Sequence, residues 1–241
     1  MAIIKNTDST AWRNKVEGMI ARGTNVQEDS LVRVTLDEFK QLDHKKANGK
    51  ESCVNEFIKH IERVIPASTL LEDAVGYDIY MDDGVNILIL SDGRLKRGKN
   101  GQQISSAVGV MDSGHLRTTV AYPRQTTIFL ERLMMIAHCV YNDCLPSSFD
   151  GVSCNVLDSS GSVNNIFGAE YNIRPDNLEL CTVSMNSKAY QTAVQLHKLT
   201  GKLYKVSAYD VVLHDAAFQR PVDDILWYIK RTGIQEVERQ K

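Results

Sequence analysis

The sequence predicts an α+β protein: N-terminal helices, a small antiparallel sheet, a compact module rich in turn residues, and C-terminal helices. Three observations predict it. Apolar residues recur at helical spacing before residue 65 and again after Asn186. Short runs separated by turn dipeptides fill residues 77–130. The period changes from one pattern to the other across residues 66–76, which marks the domain boundary.

Residues 1–70 read as a helical N-terminal region. Ser9 or Thr10 can cap a helix through Arg22, with Trp12, Val16, Met19 and Ile20 on one face and Gly23 as its stop. Thr35 can cap a second helix over residues 36–46, where Asp37 and Glu38 suit the positive N-terminal end. A third, from about Glu51 to Val64, puts Val54, Phe57, Ile58 and Ile61 on one stripe and ends before Pro66. No catalytic pattern falls in this region.

From Tyr77 the chain reads as a meander of short antiparallel strands. YDIYMDDGVNILIL, GRLKRG, GQQISSAVGVM, HLRTTVAY and QTTIFL are punctuated by Asp-Asp-Gly, Asp-Gly, Asn-Gly, Ser-Gly and Pro. This lead-in sheet covers residues 77–130. Residues 130–141, LERLMMIAHCVY, then form an apolar helix whose Met134, Met135 and Ile136 are core residues. His138 lies within it, either as a core histidine or as a base reaching a site on a neighbouring element.

The stretch from Cys154 to Asn186, CNVLDSSGSVNNIFGAEYNIRPDNLELCTVSMN, joins a short apolar run to a polar turn and then to RPDNLELCT. Asn155 closes the apolar run, Asn177 precedes Leu178 and Leu180, and Asn186 stands where a helix begins. Asp158 reads either as an Asx-turn residue or as a group folding back toward Asn155. Beyond it, SKAYQTAVQLHKLTG has helical spacing with Gly201 as stop, and Pro221 opens a last helix, VDDILWYIKRTG. Residues 201–241 are therefore C-terminal helices. Adjacent residues on a helix diverge by about 100°, so His214 and Asp215 are not a dyad.

Composition excludes several classes. Nowhere does the chain approach the roughly 18 consecutive apolar residues of a membrane span, and the N-terminus lacks an apolar signal core, so the expected location is the cytoplasm, with no membrane partner. Cys53, Cys139, Cys144, Cys154 and Cys181 show no CxxC spacing, which argues for reduced thiols. P-loop, GxGxxG, GxSxG and HExxH motifs are lacking. The net charge of −2 argues against coating nucleic acid by bulk charge. Its distribution is uneven, however. Residues 92–132 carry Arg94, Lys96, Arg97, Lys99, Arg117, Arg124 and Arg132 against Asp92, Asp112 and Glu131. In residues 133–186, Arg174 faces Asp143, Asp150, Asp158, Glu170, Asp176 and Glu179. Any DNA or RNA contact is therefore expected through the basic segment 92–132, with Arg94, Lys96, Arg97, Lys99, Arg117 and Arg132 on phosphates.

The residues Asn155, Asn164-Asn165, Arg174-Pro175-Asp176-Asn177-Leu178-Glu179 and Asn186 resemble the ββα-metal module of phage-type HNH homing endonucleases. The lead-in Gly93-Arg94-Leu95-Lys96, Gly114-His115-Leu116-Arg117-Thr118-Thr119-Val120 and Phe129-Leu130-Glu131-Arg132-Leu133 resembles the same proteins. The resemblance implies an HNH-like domain over residues 77–200, with its ββα module at 131–200. It also implies Asn155 and Asn186 as oxygen ligands of one Mg²⁺ or Mn²⁺ ion. Val156 stands where the family carries its catalytic His, and Glu131 where it carries a second His. Valine cannot take a proton from water. The expectation is thus a degenerate, catalytically inactive phage protein, a pseudoenzyme that binds nucleic acid or a host protein. One alternative is an active metal-dependent DNA endonuclease or nickase that uses His138 or Asp158 as base. Another is a protein-binding inhibitor or scaffold without nucleic-acid contact.

Overall fold

The structure is a computed structural model that describes residues 8–22, 53–67, 74–104, 108–110, 115–158 and 171–237. The helix expected over residues 36–46 and the Asn164-Asn165 pair lie outside the described residues. Within them the chain is α+β, with its antiparallel strands gathered between helices.

Helix α1, Ser9–Ala21, is capped not by Ser9 or Thr10 but by Asp8, whose carboxylate accepts from the Ala11 N–H. The helix expected from Glu51 to Val64 is shorter than its apolar stripe. Helix α2 spans only Cys53–Lys59, and Ile61–Pro66 is strand β1. The correction has a tertiary cause. β1 pairs antiparallel with β2, Gly76–Met81, setting Val64 opposite Ile79, and that ladder overrides the helical period.

The antiparallel strands follow as expected, except that the stretch read as one strand over residues 101–111 supplies strands to two different sheets. β2, β3 (Val85–Leu90), β4 (Leu95–Lys99) and β5 (Gln102–Ile104) extend the sheet from β1 in sequence order. Its turns use the residues that tolerate left-handed backbone. At the β4–β5 turn, Asn100 has φ 51° and Gly101 φ 81°, the pattern of a two-residue hairpin loop. A second sheet contains β6 (Val108–Val110), β7 (Leu116–Val120) and β8 (Thr126–Phe129).

Helix α3, Leu130–Tyr141, follows β8 directly and is buried along most of its length. Strand β9 (Val152–Val156) pairs antiparallel with β10 (Leu178–Thr182), and helix α4 (Val183–Thr200) follows β10 without a linker. Thr182 caps α4 by accepting from the Met185 N–H. Asn186 therefore sits in the first turn of α4. Helices α5 (Val211–Gln219) and α6 (Val222–Thr232) close the chain, α6 beginning after Pro221 as expected.

Two apolar cores result. One joins α2, both sheets, α3 and one face of β9–β10. The other gathers Val16 of α1 with α4, α5, α6 and Cys181 on the opposite face of the hairpin. Arg13 and Ser9 of α1 bind the buried Asp224 of α6 at 2.9 Å each, so the described N-terminal helix docks on the C-terminal ones. No helix among the described residues is long and apolar enough to cross a membrane.

Candidate functional site

Strand alternation divides the β9–β10 hairpin into two faces. Register places Val156 opposite Leu178, Cys154 opposite Leu180, Asn155 opposite Glu179 and Ser153 opposite Cys181. Val156 shares its face with Cys154, Leu178 and Leu180, in the core built on α3, and the Cys154 thiol donates to the Glu131 carbonyl of that helix. The position of the expected catalytic base is thus a core position, only 8% exposed.

The other face carries the buried Cys181 and three polar side chains, Ser153, Asn155 and Glu179. Asn155 is 3% exposed, and its Nδ2 donates to Glu179 Oε2 at 3.1 Å and to the Val206 carbonyl at 3.0 Å. Glu179 also accepts from Ser207 Oγ at 2.8 Å and from the Ala208 N–H at 2.9 Å. Asn186 donates to Ser153 Oγ at 3.0 Å. The two asparagines do reach the same face of the hairpin, but each is tied to the chain's own groups. The carboxylate beside them is surrounded by N–H and O–H donors, which take the lone pairs a divalent cation needs. Among the described residues, Glu179 is the one carboxylate that these bonds place beside the two asparagines, and it is shared among the donors.

Neither substitute base joins Asn155 and Asn186. His138 lies on α3, across the hairpin from them, and its Nδ1 is 2.8 Å from the Tyr77 hydroxyl. Burial lowers its pKa, favouring the neutral ring, and its contact with Tyr77 is a structural one. Asp158 accepts from Asn172 Nδ2 at 3.2 Å, while Asn177 Nδ2 donates to the Asn172 carbonyl at 3.0 Å. Together these bonds fasten the start and end of the loop between β9 and β10.

The basic segment is mostly committed as well. Arg132 is half-buried, its Nη2 donating to the Phe149 carbonyl at 2.5 Å. Arg97 of β4 reaches across to β7, donating to Thr118 Oγ1 and, at 2.6 Å, to the Thr119 carbonyl. Desolvation lowers its pKa. Arg94 pairs with Asp92 and Lys99 with Asp83. Lys96 and Arg117 are exposed and form no ion pair among the described residues.

One constellation was missed in the sequence. Glu131, 3% exposed at the start of α3, lies 2.8 Å by its Oε1 from His115 Nδ1 and accepts from the Tyr171 hydroxyl at 2.9 Å. The contact with Glu131 raises the His115 pKa, favouring the imidazolium, and burial pushes the Tyr171 phenol well up. The usable signal was hairpin register. Arg117 pairs with Phe129, which brings His115 opposite Glu131 two residues further out. Tyr171, beyond a long loop, left no such mark.

No protein-family model, curated protein or solved structure matches the chain.

Proposed function

We propose that this chain is a degenerate HNH-type ββα scaffold that binds nucleic acid without cutting it. One observation carries the reading. The hairpin–helix unit expected to hold an ion has its polar face filled by residues 206–208 through Asn155 and Glu179, while Val156 lies in the core behind it. Among the described residues, no base for water stands beside Asn155 and Asn186 in such a unit, and the Glu179 carboxylate next to them is already held by N–H and O–H donors. Nucleic acid is favoured over a host protein because Arg117 and Lys96 present charge outward with no carboxylate paired to them among the described residues.

Binding by these cations is electrostatic and falls with salt. Anisotropy titrations of labelled DNA and RNA, single-stranded and duplex, at rising salt test it. Binding that weakens with salt, with a slope reduced by about 1 for each of Lys96→Ala and Arg117→Ala, is the expected result. No binding to any of them at low salt would overturn the reading in favour of a protein partner.

A further inference from the structure

We propose that the exposed face of β6–β8, centred on Phe129 and flanked by Arg117 and His115, is a stacking platform for single-stranded nucleic acid. This rests on the nucleic-acid reading above and assigns it a place and a strand form.

Strand alternation puts His115, Arg117 and Thr119 of the β7 segment on one side of the sheet, with Thr127 and Phe129 of β8 beside them. Thr118, Val120, Thr126 and Ile128 point into the molecule and are buried. The outward row is therefore the sheet's solvent face. Phe129 is 37% exposed at its centre. Arg117 lies directly across from it, and the His115 ring sits 5.5 Å from its ring. Phe129 stands on an outward strand position, and the exposed part of its ring suits an unstacked base.

The charges match a polyanion. Arg117 makes no ion pair among the described residues, and His115 is held toward the imidazolium by Glu131. Glu131 itself is buried beneath the row, shared between His115 and Tyr171, and Cys154 touches only its backbone carbonyl. No carboxylate faces out from this row among the described residues. Gly109 of β6 stands opposite Arg117, and a Cβ there would lie 3.7 Å from the guanidinium Nε. Its lack of a side chain leaves the approach to Arg117 open. Thr119 and Thr127, whose hydroxyls are 3.3 Å apart, add donors and acceptors that tolerate any base.

A single strand fits this face better than a duplex. Base faces in a duplex are covered by their neighbours, so an exposed aromatic ring contributes little there. In a single strand each base offers a free π-face.

The test is fluorescence anisotropy with labelled oligo-deoxythymidine and oligo-uridine of about 12 nucleotides, and a duplex of the same length. At least one single strand is expected to bind more tightly than the duplex. Phe129→Ala should weaken that binding by about tenfold or more, and Phe129→Tyr should restore it. Arg117→Ala, on a surface position, gives an independent loss, and urea unfolding of each variant shows that the fold is intact. Duplex bound as tightly as single strands, or single-strand binding unchanged in Phe129→Ala, would overturn the platform while leaving nucleic-acid binding standing. Failure to bind any oligonucleotide would overturn both.

Discussion

On one face of the β9–β10 hairpin, Val152, Cys154, Val156, Leu178 and Leu180 are buried against α3; on the other, Ser153, Asn155 and Glu179 meet α4 and residues 206–208 through hydrogen bonds. The first face is held by apolar burial, which is non-directional and tolerant of small shifts. The second depends on donors and acceptors that must all be matched, because a buried polar group without a partner is costly. The contrast shows how two kinds of force hold the two faces of one hairpin. One face is sealed by the core on α3, and the polar groups of the other are met by the chain's own donors and acceptors.

Truncations on the two faces sharpen this contrast. Leu178→Ala, fully buried against α3, is expected to cost about 3 kcal/mol through the cavity it leaves. Asn155→Ala, which leaves Glu179 and the Val206 carbonyl short of a donor, is expected to cost about 2 kcal/mol. Urea midpoints at neutral pH read both. Equal costs would show that the faces do not differ in kind.

The helical core adds a test with the opposite sign. Burial holds the Asp210 carboxyl up at about 6, against an ordinary 3.8, and the Glu179 charge adds to the shift. Stability from the protonated form is fully present below about pH 3.8 and is lost as pH rises through about 6. Asp210→Asn keeps an oxygen for the Leu213 N–H and the Tyr228 hydroxyl. It should stabilise the protein by on the order of 1 kcal/mol at neutral pH and by nothing in acid. Stability profiles of the two proteins against pH check this.

Smaller effects follow at the margins. Asn186→Ala removes one bond to Ser153 and is expected to cost about 0.5 kcal/mol. Its urea midpoint should therefore shift far less than that of Asn155→Ala. His115 contributes stability that is fully present below its ordinary 6.5 and is lost as pH rises through its elevated folded value. Glu131→Gln should move the His115 titration, followed by NMR, back down.

Much of the fold was legible in the sequence. The turn dipeptides located the strands, and the apolar helix over residues 130–141 matches α3. The strand at Ile61–Pro66 was hidden because Val54, Phe57 and Ile61 continue a helical stripe, and only pairing with β2 decides against it. At the site, Asn155 and Asn186 were placed on one hairpin–helix unit. What holds them was not visible: Val206 lies 51 residues beyond Asn155, and no local period encodes that contact. Which cations are free is likewise not encoded locally, since burial of Arg97 and Arg132 depends on where Thr118, Thr119 and Phe149 fold.

The most direct measurement is incubation of the purified protein with supercoiled plasmid, alone and with an excess of single-stranded DNA, at low salt in EDTA, Mg²⁺ or Mn²⁺. Nicking and mobility are read together, and Asn186→Ala is run alongside. A shift of DNA mobility without nicking under every metal condition, the same in Asn186→Ala, is the expected result. Metal-dependent nicking that disappears in Asn186→Ala would contradict it, and would mean that the closed polar face opens to admit an ion.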